Sequence, residues 1–354
     1  MSLETRVPIS EAELLVKNAF LKNGVKEDIA ASVSTALVAA EVEGQVGHGF
    51  SRVKDYIAQV KSKKINVDAK IKIEYPKPTS ISVDADYGFA YPALDQAISE
   101  GALVAKEYGS AVVSVFNSHH CGALSVQVEK IANHGLIGLM MANTPKAIAP
   151  WGGEDPFFGT NPIAFAVPRI EKDPLVIDLS LSKVARGKIM HAKKVSTTIP
   201  EGWALDSSGK PTTDPDQALK GSMLPIGEAK GSALALMVEI LAATLSGGTQ
   251  SNEASSFLNS EGGPPGVGQF LLLISPGKNS NSFLARLEEL LNSIEEMESQ
   301  WRRLCTAFDD PSSVLLLHCT AARLELTPPR GLHVPASHPL EFDSHRCRSS
   351  ARLT

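Results

Sequence analysis

Ala111-Val112-Val113-Ser114-Val115-Phe116-Asn117-Ser118-His119-His120-Cys121-Gly122-Ala123-Leu124 runs from apolar, β-branched residues into a polar turn and on into a helical pattern. The apolar run, bounded by turn residues, reads as a buried strand. A helix is expected from the turn to about His134, and Gly135 to Ala142 reads as the next strand. This alternation points to a mixed α/β (α+β) protein. A strand, a polar turn and a helix start expose backbone N–H groups and the positive end of a helix dipole, where an anion such as a pyrophosphate would fit. The fingerprint of a Rossmann domain is missing, since no GxGxxG follows a strand. Gly266-Val267-Gly268 precedes a strand and lacks the third glycine, so it reads as a turn.

Upstream of this stretch the pattern is helical. Ser10-Glu11-Ala12-Glu13 has the spacing of a capping box and predicts a helix to about Gly24. A second helix is expected from Glu27 to Gly44. Ser51 is placed to cap a third, whose apolar positions are Val53, Tyr56, Ile57 and Val60. Between the second and third lies Gly47-His48-Gly49-Phe50-Ser51-Arg52. An imidazole and a guanidinium four residues apart can converge on a small carboxylated substrate, the first moving a proton and the second gripping the carboxylate. Ser80 to Val83 then reads as a strand, and Pro92 to Tyr108 as a helix closed by Gly109.

Downstream, Asn143 to Pro168 is loop-rich, and long irregular segments inside a domain tend to carry function. Pro174 to Ser182 reads as a strand with Asp178 at its centre. A carboxylate among such neighbours is paired, exposed at a strand end, or used; a half-exposed alternating strand is the other reading. Lys183 to Lys194 reads as helix, Ile199 to Pro215 as turns, and Leu224 to Gly231 opens a very apolar helix ending near Gly247-Gly248. Thr249 to Pro265 is a polar loop, Gln269 to Ile274 a strand, and Phe283 to Ser299 an acidic amphipathic helix.

At 354 residues the chain is long enough for about two lobes, each with its own core. A net charge of −5 gives no basic face for nucleic acid. No apolar run is long enough to cross a bilayer, and MSLETRVPIS lacks the pattern of a secretory leader, so a cytoplasmic protein is expected. The four cysteines show no CxxC and no regular spacing, which argues against a disulfide framework or a metal site.

Taken in order, several of these segments resemble the type-2 malate/L-lactate dehydrogenase family. They are the His48-Gly49-Phe50-Ser51-Arg52 turn, the His120-Cys121-Gly122-Ala123 turn, and the block from Ala149-Pro150-Trp151-Gly152-Gly153 to Gly159-Thr160-Asn161-Pro162. Ile177-Asp178-Leu179-Ser180, Ala185-Arg186-Gly187-Lys188 and Ile199-Pro200-Glu201-Gly202-Trp203 complete the set, which covers roughly residues 8 to 300. The resemblance implies a non-Rossmann nicotinamide-binding fold with a largely antiparallel mixed sheet, an N-terminal helical unit and a homodimer. It implies an NAD- or NADP-dependent dehydrogenase of small 2-hydroxy acids, with His48 as proton donor and Arg52 on the substrate carboxylate. His120 is an alternative acid–base group and also lies in a cofactor-contacting segment. The residues implied to line the cofactor are His120, Cys121, Gly122, Ala123, Leu124, Asp178, Leu179, Ser180, Lys230 and Gly231, with Thr160 facing the substrate. His119 is expected to be structural, because adjacent side chains diverge and His120 is the one that matches.

The imine-2-carboxylate reductases of this family carry serine and aspartate where this chain has Gly47 and Lys188, which favours a carbonyl or alcohol over a cyclic imine. A cofactor-binding relative without turnover is the reading from another class. The implied division is a helical unit over 1–75, a cofactor and substrate domain over 76–300, and a tail over 301–354. In that tail Leu304 to Thr354 is rich in Cys, His, Arg, Ser and Pro, lacks lysine, and shows no sustained period. It reads either as an out-of-frame end or as a divergent C-terminus.

Overall fold

The computed structural model describes residues 5–277, 280–296 and 332–334. A short strand, β1 (Thr5–Val7), leads into three helices, α1 (Ile9–Leu21), α2 (Glu27–Val42) and α3 (Ser51–Lys61). They share a core of Val16, Phe20, Val33, Leu37, Val53 and Tyr56, which Phe89 and Tyr91 complete from the next domain layer. Two helix starts differ from the sequence expectation. Pro8 is the N-cap of α1, with its fixed φ of −56° already suited to the helix entry, so Ser10 lies inside the first turn and makes no cap. Ser51 is the first helical residue of α3, and its hydroxyl donates to the Val46 carbonyl at 2.6 Å instead of capping an amide.

The chain then builds one large sheet from β2 (Lys72–Lys77), β3 (Ser80–Asp84), β4 (Ser110–Ser118), β5 (Ile137–Ala142), β6 (Ile163–Val167), β7 (Leu175–Leu179) and β11 (Val267–Ile274). The spatial order is β2-β3-β4-β11-β5-β6-β7. Among these strands β3 and β4 are the one parallel pair, and every other neighbour is antiparallel. The largely antiparallel mixed sheet expected from the family resemblance is what the chain forms. Two strands were not anticipated. β2 contains Pro76, which cannot donate to a ladder and is tolerated because β2 is an edge. β6 lies inside the segment read as loop, where five apolar residues are hidden among turn formers.

Helix α4 (Ala90–Tyr108) packs across this sheet through Ala90, Ala93, Leu94, Ala97, Ile98, Ala102 and Ala105, an i, i+3, i+4 stripe of mostly small residues. Gly101 lets it lie close: a Cβ there would sit 3.1 Å from side-chain carbons of Val113 and Leu273. Gly109 ends the helix in the left-handed conformation at φ 93°. α5 (Leu124–Asn133) connects β4 to β5. Beyond β7 come α6 (Arg186–Lys194), a three-stranded sheet of β8 (Ala204–Leu205), β9 (Pro211–Thr212) and β10 (Ser222–Met223), and a short α7 (Pro215–Lys220). β8 and β9 fall in the stretch read as turns, and α7 and β10 follow it. α8 (Ala229–Glu239) continues into a π-helical turn over Ile240–Thr244.

α9 (Ser280–Glu296) is stapled to the sheet by Glu288, which accepts from Arg169 Nε at 2.9 Å and Nη2 at 2.8 Å. Arg169 is buried, and Lys172 adds a third contact at 3.0 Å. Hydrogen bonding to Arg169, outweighing partial burial, holds the Glu288 carboxyl down at about 2. A group whose folded value is depressed stabilises fully above its unfolded value and loses that contribution as pH falls toward the folded one. Glu288→Gln is therefore expected to cost about 3 kcal/mol in urea unfolding at pH 7. That deficit should narrow between roughly pH 4.5 and 2; a deficit constant with pH would refute the assignment. The segment from about Trp301 lies outside the described residues except for β12 (Leu332–Val334), which pairs antiparallel with β1.

Candidate active site

The turn between α2 and α3 is anchored by Glu41, which accepts from the Phe50 amide at 2.9 Å. Gly49 is required there because a Cβ would collide with the Glu41 carboxylate. Arg52 leaves the first turn of α3 and spends its Nε on the Gly47 carbonyl at 2.7 Å, while Nη1 lies 3.6 Å from Asp55. The guanidinium is thus oriented and still has donors for a carboxylate. His48 and His120 stack with ring centroids 5.5 Å apart and planes within 13°. The sequence-predicted trio of His48, Arg52 and His120 is one cluster.

A fourth member was not anticipated. The hydroxyl of Tyr56 is 2.6 Å from His120 Nδ1 and 2.9 Å from the hydroxyl of Tyr91. Burial pushes the Tyr56 phenol well above its ordinary range, so it stays protonated and fixes the His120 ring. The apolar position that Tyr56 takes on α3 is buried in the helical core as its spacing predicts, and its hydroxyl adds the hydrogen bonds. Its spacing of four from Arg52 was the available signal that both share a face.

Burial and, second, the Arg52 charge lower His48 to about 4. Burial also lowers His120 well below its usual value, reinforced by Arg52, His48 and His119. Both rings are neutral at pH 7, and a proton on one opposes a proton on the other. His119 behaves as an aromatic. It is buried, neither ring nitrogen has a hydrogen-bond partner, and its ring packs 5.5 Å from Phe257 and 6.0 Å from Tyr56.

At the turn after β4, where a pyrophosphate was expected to fit, the start of α5 is met by a carboxylate of the chain itself. Asp178, on β7, puts its own carboxylate there, accepting from the Ser125 amide at 2.8 Å, and the Leu124 amide also favours its charge. The helix terminus therefore already holds an anion. Burial nevertheless raises Asp178 to about 6. Cys121 is buried beside it, and burial followed by the Asp178 charge pushes its thiol up to about 12, which rules out a thiolate nucleophile. Gly122 has φ 70°, and a Cβ on it would press on the Tyr91 hydroxyl at 2.7 Å. Ala123 is the N-cap of α5.

The far end of β7 links this cluster to a second neighbourhood. Leu179 pairs with Ile163, and Ser180 lies 3.1 Å from the Ser182 hydroxyl. The Leu181 amide donates to Thr160 at 2.8 Å, and its carbonyl accepts from Ile226 at 2.8 Å. The turn leading to Lys230 and Gly231 is thereby brought beside Thr160. Gly231 admits no Cβ, because the Ile226 carbonyl occupies that space, and Lys230 is exposed.

Thr160 is held by its neighbours. Its amide donates to the Thr144 hydroxyl at 2.9 Å. Asn161, at φ 38°, donates to Glu239 at 2.9 Å and to the Ala235 carbonyl at 3.0 Å. Glu239 is a buried carboxylate that also accepts from the Ser251 amide and hydroxyl at 2.7 and 2.6 Å. This support lies some 80 residues downstream of Thr160 and had no local sequence signal. Arg186, at the start of α6, is a further residue missed as a site candidate. Its Nε is buried without an acceptor, which suits a phosphate oxygen.

A family model described as malate/L-lactate dehydrogenase matches residues 7–303. The chain is 47% identical over 292 residues to a (2R)-3-sulfolactate dehydrogenase (NADP(+)) of Chromohalobacter salexigens, covering 82% of this chain and 87% of the relative. It superposes on the sulfolactate dehydrogenase of Methanocaldococcus jannaschii with a TM-score of 0.76 at 33% identity, covering 82% of this chain and 84% of that one. The delta1-piperideine-2-carboxylate reductase of Pseudomonas syringae gives a TM-score of 0.79 at 32% identity, covering 91% and 99%.

Proposed function

Because the chain belongs to the malate/L-lactate dehydrogenase family, we propose that it moves hydride reversibly between NADP(H) and a small 2-hydroxy acid such as 3-sulfolactate. The observation that carries this reading is the parallel stack of His48 on His120 with the Arg52 guanidinium beside it. A bound nicotinamide supplies or accepts the hydride at the substrate's second carbon. The residues that would hold it are those from His120 to Leu124, Asp178 to Ser180, and Lys230 with Gly231. The acceptor-less Nε of Arg186 fits a phosphate of the same group.

Arg52 would pair with the substrate carboxylate and set the reacting carbon beside the histidines. In oxidation the neutral His48 accepts the hydroxyl proton. In reduction the direction reverses, and the bound carboxylate helps by cancelling the Arg52 field that otherwise disfavours imidazolium. Tyr56 holds His120 from behind through Nδ1, and Thr160, oriented by Thr144, would contact the substrate.

Loss of reduced-nicotinamide absorbance, with NADPH and NADH separately, across 2-oxo acids and one cyclic imine carboxylate, tests the reading. Turnover of a 2-oxo acid is expected. Turnover of the imine alone would replace it with the reductase activity named for a relative at 37% identity, against which Gly47 and Lys188 stand.

The working unit in this proposal is a cytoplasmic homodimer. No described helix is long and apolar enough to cross a membrane. Leu236, Met237, Ile240 and Leu245 are 37–59% exposed along α8 and its π-helical continuation. Such a stripe at helical spacing suits burial by a second copy. Ile240→Glu is expected to convert the dimer to monomer in light scattering; a wild-type monomer would refute the dimer.

A further inference from the structure

Among the described residues Lys64 is the one buried lysine, with 1% of its surface exposed. It follows the end of α3, and its ammonium donates to the carbonyls of Ser256, Asn259 and Glu261 at 2.7, 3.3 and 2.6 Å. An ammonium has three protons and no acceptor, so one loop takes its full donor capacity. From the same helix Gln59 Nε2 donates to the Phe257 carbonyl at 2.8 Å. Four carbonyls of the 249–265 loop are thus tied to α3 and the residue three beyond its end. The start of the loop is anchored separately, where Ser251 donates to Glu239 and the Thr249 and Ser251 carbonyls accept from Asn143 and Lys146. Further on, the ties from Ser255 to Gly263 and from the Glu261 amide to Asn259 shape the loop, and the part from Ser256 to Glu261 is seated through Lys64 and Gln59. The side chain presented by the seated part is Phe257, whose ring centroid lies 5.0 Å from that of His120 and 5.5 Å from that of His119.

We propose that Lys64 is a positioning residue: by gathering three loop carbonyls on one ammonium it seats Phe257 against His120, which fixes the ring of the acid–base pair and keeps bulk water from it. The proposal rests on the assignment of His48 and His120 as that pair. An apolar ring at this distance also contributes to the burial that keeps His120 neutral, together with Arg52, His48 and His119 around it.

The test uses the full chain without ligands and Lys64→Met, which keeps an apolar stem and removes every donor. Diethyl pyrocarbonate acylates accessible neutral imidazoles, and fragment mass spectra distinguish His120 from His119. Acylation of His120 is expected to rise about tenfold in Lys64→Met, with faster amide exchange across residues 249–265. Phe257→Ala keeps the lysine and its carbonyls. It should raise His120 acylation to a similar extent while amide exchange in the loop stays at the wild-type rate. In active enzyme the acid limb of hydroxy-acid oxidation should move upward in both variants. A Lys64→Met protein that melts earlier yet acylates His120 at the wild-type rate would overturn the proposal, because the lysine would then only support the fold. Should that variant not fold, Lys64→Gln, which keeps two donors on a shorter stem, replaces it; a smaller rise in His120 acylation is then expected, and an unchanged rate with a lowered melting temperature would overturn the proposal. Acylation needs neither cofactor nor substrate, so a wild type that reduces no 2-oxo acid would remove the proposed function and leave the positioning result to be judged separately.

Discussion

His48→Ala is expected to lower kcat for the reduction of a 2-oxo acid by about a thousandfold and to change KM little, since in the proposed mechanism the lost group acts on the developing alkoxide while Arg52 still binds the carboxylate. The pH dependence of the wild type sharpens this expectation. Oxidation needs the neutral imidazole, which exists above the histidine's pKa. With His48 at about 4 through burial and the Arg52 charge, kcat/KM for a hydroxy acid should hold well below pH 6.5 and fall only as pH approaches about 4. A limb at 6.5 would mean the base is solvated, contrary to the stacked geometry. His120→Ala is the internal comparison: if it costs more than His48→Ala, the proton-transfer role moves to His120, and Tyr56 becomes the group behind the acid rather than beside it.

Arg52→Met is expected to lower kcat/KM by about three orders of magnitude. Truncating one member of a hydrogen-bonded charge pair in a shielded site costs roughly 2–5 kcal/mol, or about 30- to 5000-fold. Unlike the His48 variant, this loss should fall on KM as well as kcat, because in the proposed mechanism Arg52 grips the carboxylate in ground and transition states alike. A second effect follows from the electrostatics. Arg52 is the lesser of the two causes lowering His48, burial being the greater, so the acid limb of oxidation should rise above 4 but stay short of 6.5. Unchanged KM together with an unmoved limb would place the substrate carboxylate elsewhere.

The elements legible in the sequence are those with a long period or a strong stop signal. α4 ends at Gly109 as expected, and α2, β4, α5 and β11 lie within a few residues of their expected positions. Short strands were lost because their residues say little by themselves. Pro76 argues against a strand unless it is known to lie at an edge, and Ile163 to Val167 is too brief to outweigh the glycines and prolines before it. At the site, the four-residue spacing of His48 and Arg52 already suggested that they converge, whereas His120, 68 positions from Arg52, joined them only through the family resemblance. By sequence Asp178 is a carboxylate among apolar neighbours, either paired, exposed or used; its partner, the amide end of α5, is joined to it only by the fold. Glu239 beneath Asn161 and Lys64 beneath the Phe257 loop are of the same kind. Their partners are brought to them by tertiary packing, and no local pattern encodes such meetings.

The placement of β11 bears on how the chain reaches this structure. The strand in the middle of the sheet spans 267–274, whereas its two neighbours, β4 and β5, end by residue 142. During synthesis those neighbours leave the ribosome more than a hundred residues before the strand that separates them. At the usual pace of translation the nascent chain waits on the order of ten seconds with two apolar strand edges open. Premature pairing of β4 with β5, which run in the same direction, would close the gap meant for β11 and has to be undone. Slow, late completion of the sheet is therefore built into this topology, and chains released before residue 267 are the ones expected to aggregate.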